Sequence, residues 1–184
     1  PPYIQDIHER EQFLQKNVES VDTSKTPFEI TSGGQVYTAR SIIIATGAET
    51  KWLDVPGLSK LIGRGISSCA PCDAPFFRDK EVIVAGGGDS AMEEACVLTR
   101  FAKHVTIVHR RNEFRASQVM QDKAKANPKI TFMMNNQITE VLGEMKVSGV
   151  KVKDTINGEE KEIATDGVFV AIGHIPNSTV FKGI

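Results

Sequence analysis

Two cysteines stand two residues apart in Cys69-Ala70-Pro71-Cys72-Asp73, and an acid follows at once. Such a pair can clip a zinc ion, staple a fold, or cycle between dithiol and disulfide. A structural zinc site wants four ligands, supplied as two such pairs or as one pair with histidines. The remaining cysteine, Cys96, lies in the apolar-periodic run 90–100 and reads as a core thiol, while His104, His109 and His174 show no ligand spacing. Three cysteines make a poor disulfide framework. With no signal-like start to the chain, they fit a reducing, cytoplasmic compartment, where a Cys-x-x-Cys pair is more often catalytic or metal-binding than structural. A redox dithiol needs sulfurs close enough to bridge, a thiol of depressed pKa, and an acid to manage protons. Cys69 and Cys72 supply the first, and Asp73 is placed for the last.

A second chemistry is carried by Gly86-x-Gly88-x-x-Ala91, between the apolar run 81–85 and a helix-periodic run over 90–102. This is the dinucleotide fingerprint in its required setting. Gly86 permits the sharp turn, Gly88 lets a pyrophosphate approach the backbone, and Ala91 lets helix and strand pack closely. The helix start offers free N–H groups to phosphates, with Asp89 or Ser90 available as its cap. The next apolar strand, 105–109, ends in His109-Arg110-Arg111, with Arg115 close behind. Enzymes that use NAD usually place an acid there for the ribose 2′-hydroxyl. Four basic residues would instead pair with a 2′-phosphate, so the pattern predicts NADPH.

These groups need elements to hold them. Periodicity predicts a helix over 7–17, extended segments over 18–22, 28–31 and 35–39 with a turn at Gly33-Gly34, and an apolar strand over 41–46. Residues 51–80, rich in Gly and Pro, read as irregular. Beyond the second strand come a helix over 113–126 and strands over 130–134, 137–142 and 146–154. A two-residue hairpin turn at Asn157-Gly158 then leads into strands over 159–164 and 167–173. The stretches ending at Gly47 and at Gly173 share one plan, a glycine-turned hairpin and then a fully apolar strand. Two related nucleotide-binding domains are expected. The second copy contains its glycine loop, whereas the first should have one some forty residues before Pro1; we therefore expect an interior piece of a longer protein.

With 184 residues the chain can bury a core, and a formal charge of −1 leaves no nucleic-acid footprint. No apolar run approaches the roughly 18 residues of a membrane helix. No nucleic-acid or membrane partner is expected.

The sequences Cys-Ala-Pro-Cys-Asp, GGGDSAMEEA, HRRNEFRAS and AIGHIPN, in this order and spacing, resemble the low-molecular-weight thioredoxin reductases of bacterial and plant type. The match covers nearly the whole chain and is weakest over 1–17. It implies an α/β fold in which a Rossmann-like NADPH-binding domain, of three-layer ββα type with a β-meander, is inserted into a partial, related FAD-binding domain. Residues 1–50 and 175–184 would belong to the FAD domain and 51–174 to the NADPH domain. The cofactors implied are FAD and NADPH, with Thr46 and Gly47 near FAD and Ile172 and Gly173 near the nucleotide. The partners implied are thioredoxin and a second copy of the protein, as a homodimer. In the family the second cysteine faces the flavin and the first attacks the protein substrate, which assigns those roles to Cys72 and Cys69, with Asp73 protonating the departing thiolate. The family commonly has Thr where Pro71 stands and Gly-Phe where Ala74-Pro75 stand. Pro71 should alter the dithiol's potential, and Ala74 questions any backbone geometry that wants glycine. Two other readings share these residues: a flavoprotein that reduces a peroxiredoxin, and a flavin-less NADPH-binding module.

Overall fold

The computed structural model describes residues 14–183, so most of the helix expected over 7–17 lies outside the described residues, and 14–17 are not helical. Two units are present. One is Glu49–Ile175; the other comprises the residues up to Ala48 together with those from Pro176.

The flanking unit holds a three-stranded antiparallel meander of β1 (Val18–Asp22), β2 (Phe28–Ser32) and β3 (Gln35–Ala39). The β2–β3 hairpin closes at Ser32↔Gln35, so the loop is Gly33-Gly34, both at positive φ (58° and 74°). That is the two-residue turn whose twist matches the strands, and glycine enters it without steric cost. The apolar strand expected over 41–46 does not form: these residues join no ladder, and Ile43 is 93% exposed. A strand exists only by pairing, and no neighbour among the described residues offers one.

The unit Glu49–Ile175 begins at β4 (Ala48–Thr50) and ends in β13 (His174–Pro176). Within 51–80, read as irregular, lie the two-residue strand β5 (Ile66–Ser67) and the single-turn helix α1 (Ala70–Asp73). The central sheet is parallel. It contains β5, β6 (Glu81–Gly86), β7 (His104–His109), β8 (Ile130–Met134) and β12 (Gly167–Ala171), in the order β5-β12-β6-β7-β8. On one face pack α2 (Asp89–Leu98) and α3 (Gln118–Lys125); on the other lies a second meander of β9 (Asn136–Leu142), β10 (Gly149–Asp154) and β11 (Glu160–Ala164).

Alternation along the strands explains this sandwich. Val82 and Val84 of β6 join Val105, Ile107 and Phe169 under the helices, while Ile83 and Ala85 join Val108, Val168 and Val170 under the meander. Both faces are buried, so the strands read as continuous apolar runs. At roughly 1.5–3 kcal/mol for each fully buried side chain of this size, these two layers are the main source of the unit's stability. In α2 the inward residues are Ala91, Met92, Ala95 and Leu98, one stripe at helical spacing.

Three further boundaries differ from the sequence reading. The helix expected over 90–102 ends at Leu98, whose carbonyl accepts from both Phe101 and Ala102 in a closing turn. The helix expected over 113–126 starts only at Gln118, because Arg115 and Ala116 donate their N–H groups to the Gly87 carbonyl. The β10–β11 loop spans 155–159 rather than two residues, since Asp154 Oδ1 accepts the N–H groups of Ile156 and Asn157 and widens the turn.

From β6 the chain winds outward through α2 and β7 to β8, while β12 lies on the other side of β6. The order therefore reverses at β6, and a crevice opens beyond the carboxyl ends of β6 and β12, where ligands of open parallel sheets bind.

Candidate functional site

The glycine loop lies in that crevice, joining β6 to α2. A Cβ on Gly86 would collide with the Ala171 carbonyl oxygen and the Ala91 methyl, so strand, loop and helix can be this close only with glycine there. A Cβ on Gly87 would collide with the His109 ring. Around Gly88 nothing lies within 4 Å of such a position. Gly88 is the N-cap of α2, with no side-chain cap. The first N–H groups of the helix are thus left for a ligand, and the helix dipole favours an anion. Asp89, expected as a cap beside Ser90, does not cap its own helix. Its Oδ1 accepts instead from the N–H and hydroxyl of Ser117, at 2.7 and 3.0 Å.

A cavity of about 360 Å³ opens over this loop, lined by Gly86, Gly88 and Ser90 on one side and by Ile172 and Gly173 on another. Arg110, Arg111 and Arg115 form a basic rim and are exposed, free to meet an anion. The Arg110 and Arg111 carbonyls accept from the Thr155 hydroxyl and the Asn135 N–H, both at 3.2 Å, which ties this turn to the meander. His109 differs from the arginines. It is 8% exposed, its Nε2 lies 3.0 Å from the Glu113 carbonyl, and its ring packs against Phe114. Burial first, with the Arg111 charge adding, holds its pKa below the ordinary histidine value of 6.5 despite the Glu113 bond. The ring lies wedged against Gly87 and also lines the cavity, beside the three arginines.

Lys51, Leu53, Asn136 and Gln137 also line the cavity and were missed from the sequence. They come from the start of the unit and from β9, far from the glycine motif, and no local pattern marks them.

Cys69 and Cys72 form a disulfide with Cα atoms 5.3 Å apart. Cys69 caps α1 through its carbonyl, which accepts from Cys72 and Asp73 at 3.2 and 3.0 Å. Pro71 falls in the first turn, where the N–H it lacks has no helical acceptor. Ala74 has helical dihedrals (φ −52°, ψ −35°), so no glycine-only backbone is needed there. Cys69 is half-buried and Cys72 exposed.

Two side chains absent from the sequence reading hold this turn. Ser67 accepts the Cys69 N–H at 3.1 Å and donates to Asp73 Oδ2 at 2.6 Å. Glu94 of α2 accepts the Ala70 N–H at 2.5 Å, and burial raises its carboxyl pKa against that bond. Burial likewise raises the Cys96 thiol, keeping it protonated. Among the described residues no three ligating side chains gather as a metal site.

Thr46 and Gly47 belong to the flanking unit and not to this cavity. Both bind Asn177: the Thr46 hydroxyl donates to its carbonyl at 2.6 Å, and its N–H donates to the Gly47 carbonyl at 3.0 Å.

A glycine loop at a sheet's switch point, together with a disulfide in the same unit, defines a nucleotide-linked redox protein. The chain belongs to the pyridine nucleotide-disulphide oxidoreductase family, whose pattern matches residues 4–184. It is 49% identical to the thioredoxin reductase of Mycolicibacterium smegmatis over 168 residues, covering 91% of this chain and 54% of that protein. It is also 49% identical to the thioredoxin reductase of Rickettsia prowazekii over 170 residues, covering 90% and 55%. The crystal structure of Lactococcus lactis thioredoxin reductase superposes with a TM-score of 0.82 at 38% identity, over 92% of this chain and 56% of that one. The chain thus spans about half the length of the curated relatives it matches.

Proposed function

We propose that this chain supplies the NADPH-binding and dithiol parts of an NADPH-dependent flavoprotein that reduces thioredoxin. The observation that carries this reading is the Cys69–Cys72 disulfide, held against the same helix α2 that starts at the glycine loop. In this reading residues 51–174 are the NADPH domain, and 1–50 with 175–184 belong to an FAD domain. Gly86, Gly88, Ser90 and Ala91 seat the pyrophosphate, Arg110, Arg111 and Arg115 hold the 2′-phosphate, and Ile172 and Gly173 close the crevice. Thr46 and Gly47 contribute to the flavin side. By resemblance the assembly is a homodimer in a reducing, cytoplasmic setting.

FAD, held on the side of Thr46 and Gly47, would supply the two-electron link between NADPH and the disulfide. Those electrons break the Cys69–Cys72 bond and leave a dithiol. Cys69 gives its proton to Asp73 and, as thiolate, attacks the partner's disulfide; a mixed disulfide forms, and one partner sulfur departs and takes that proton from Asp73. Cys72 then attacks the Cys69 sulfur, restoring the internal bond and releasing the second partner thiol. One NADPH is oxidised for each disulfide reduced.

The test is NADPH oxidation coupled to reduction of thioredoxin disulfide by the protein that carries this chain. Turnover lost in Cys69→Ser and in Cys72→Ser, with flavin reduction by NADPH retained, is the expected result. Turnover retained in either variant would overturn the dithiol as the route.

A further inference from the structure

Asp89 stands next to the glycine that a pyrophosphate would approach, yet it carries a negative charge. As a ligand contact it would oppose binding. Its carboxylate is occupied elsewhere, because Oδ1 accepts both the N–H (2.7 Å) and the hydroxyl (3.0 Å) of Ser117. Two residues back along the loop, the Gly87 carbonyl accepts the N–H groups of Arg115 and Ala116 at 2.7 and 3.1 Å. The segment 115–117 is therefore fastened to the glycine loop at three successive residues. The first of these is the arginine on the rim of the cavity. Arg110 and Arg111 are anchored separately, through Thr155 and Asn135.

We propose that Asp89 is a positioning residue for cofactor choice: its clamp on Ser117 places Arg115 against a ribose 2′-phosphate. Asp89 itself touches no part of the dinucleotide. The clamp makes the pyrophosphate loop and the arginine loop one piece. The Arg115 backbone is thereby held beside the loop that carries Gly88, on the rim of the same cavity. Without the clamp, only the two Gly87 bonds tie the segment to the loop; Arg115 is then held less firmly, and the cost of ordering it falls on NADPH alone. This inference rests on the NADPH reading of the cavity.

NADPH and NADH affinities of the whole chain, measured by titration calorimetry, test it. Asp89→Ala should weaken NADPH about tenfold, the usual scale of a lost hydrogen bond to a charged group, and leave NADH within about twofold. Asp89→Asn keeps an acceptor oxygen for Ser117 and should retain most of the preference. Ser117→Ala removes the hydroxyl but not the N–H and should give a smaller loss of the same kind. In a double-mutant cycle, Asp89→Ala should add little once Arg115 is Ala, because it acts through that arginine. If Asp89→Ala weakened both nucleotides equally, strengthened either, or added fully to Arg115→Ala, the clamp would be refuted. Should Asp89→Ala fail to fold, the same cycle with Ser117→Ala decides. If Arg110, Arg111 and Arg115 could all be replaced with no change in the NADPH to NADH ratio, the NADPH reading would fall, a result distinct from failure of the clamp.

Discussion

At the scale of single residues, charge and hydrogen bonding decide which nucleotide the crevice takes. Replacing Arg110 and Arg111 with Ala should weaken NADPH by about 1.5–3 kcal/mol for each lost charged hydrogen bond and barely change NADH. Equal losses for both would contradict the arginines' role. Each cysteine has a separable signature in the flavin-bound protein. If Cys72 is the flavin-side sulfur, Cys69→Ser should leave its thiolate beside oxidised flavin and give a long-wavelength absorbance band, whereas Cys72→Ser should give none. Reversed spectra would exchange the two roles. The buried His109 gives a pH dependence whose sign follows from its lowered pKa. Its folded state resists the proton, so the stability it confers is present above the unfolded value of about 6.5 and is lost as pH falls through the folded value. The melting temperature should therefore drop as pH falls below about 6.5, and His109→Gln should flatten that drop; an unchanged slope would show that the proton is taken up elsewhere. Cys69, Cys72, Gly86, Gly88 and the arginines were legible in the sequence because each motif is local. Ser67, Glu94 and Asn136 were not, because each meets its partner through the fold. The charge on Asp89 was legible, but its partner 28 residues away was not.

At the scale of elements, close approach of backbones sets what the loop tolerates. Gly86→Val pushes a side chain into the Ala171 carbonyl and the Ala91 methyl. It should cost about 1–3 kcal/mol of stability, the range of overpacked cores, and abolish nucleotide binding. Wild-type affinity in a folded Gly86→Val protein would mean that the loop does not seat the ligand. Between α1 and α2, Glu94 holds its carboxylate against a burial cost. Its raised pKa means that its contribution to stability is present below the unfolded value and lost as pH rises through the folded one. Glu94→Gln keeps an acceptor for the Ala70 N–H, so it should melt no lower than wild type at pH 7, the difference shrinking as the pH is lowered. A lower melting temperature at pH 7 would show that the charged hydrogen bond outweighs desolvation. Elements with strict patterns, such as β6, β7 and the core of α2, were read correctly to within a residue or so. Those whose ends are set by distant partners were not. The start of α3 waits for the Gly87 carbonyl, and among the described residues the run 41–46 has no neighbour that would make it a strand.

At the scale of the molecule, the described residues of the two units are built differently. The unit Glu49–Ile175 holds a five-stranded sheet covered on both faces, and its glycine loop, arginines and disulfide are all its own. The flanking unit offers a meander and an apolar run with Ile43 93% and Ile44 51% exposed. Expressed by itself, the 184-residue chain should bind NADPH, retain no FAD, show no thioredoxin reduction, and self-associate through residues 27–46. A yellow monomer with turnover would contradict this division of labour. The hairpin of each meander was legible in the sequence, although the loops differ, Gly33-Gly34 in one and 155–159 in the other; the failure of 41–46 to pair was not, since pairing depends on a neighbouring strand. The central claim is that NADPH electrons reach the Cys69–Cys72 disulfide. The most direct measurement adds NADPH without oxygen to the flavin-bound protein that carries this chain, quenches with an alkylating reagent, and locates the label by mass. Label is expected on both Cys69 and Cys72 with NADPH, and little with NADH at the same concentration. An intact Cys69–Cys72 bond after full reduction of the flavin by NADPH would contradict it.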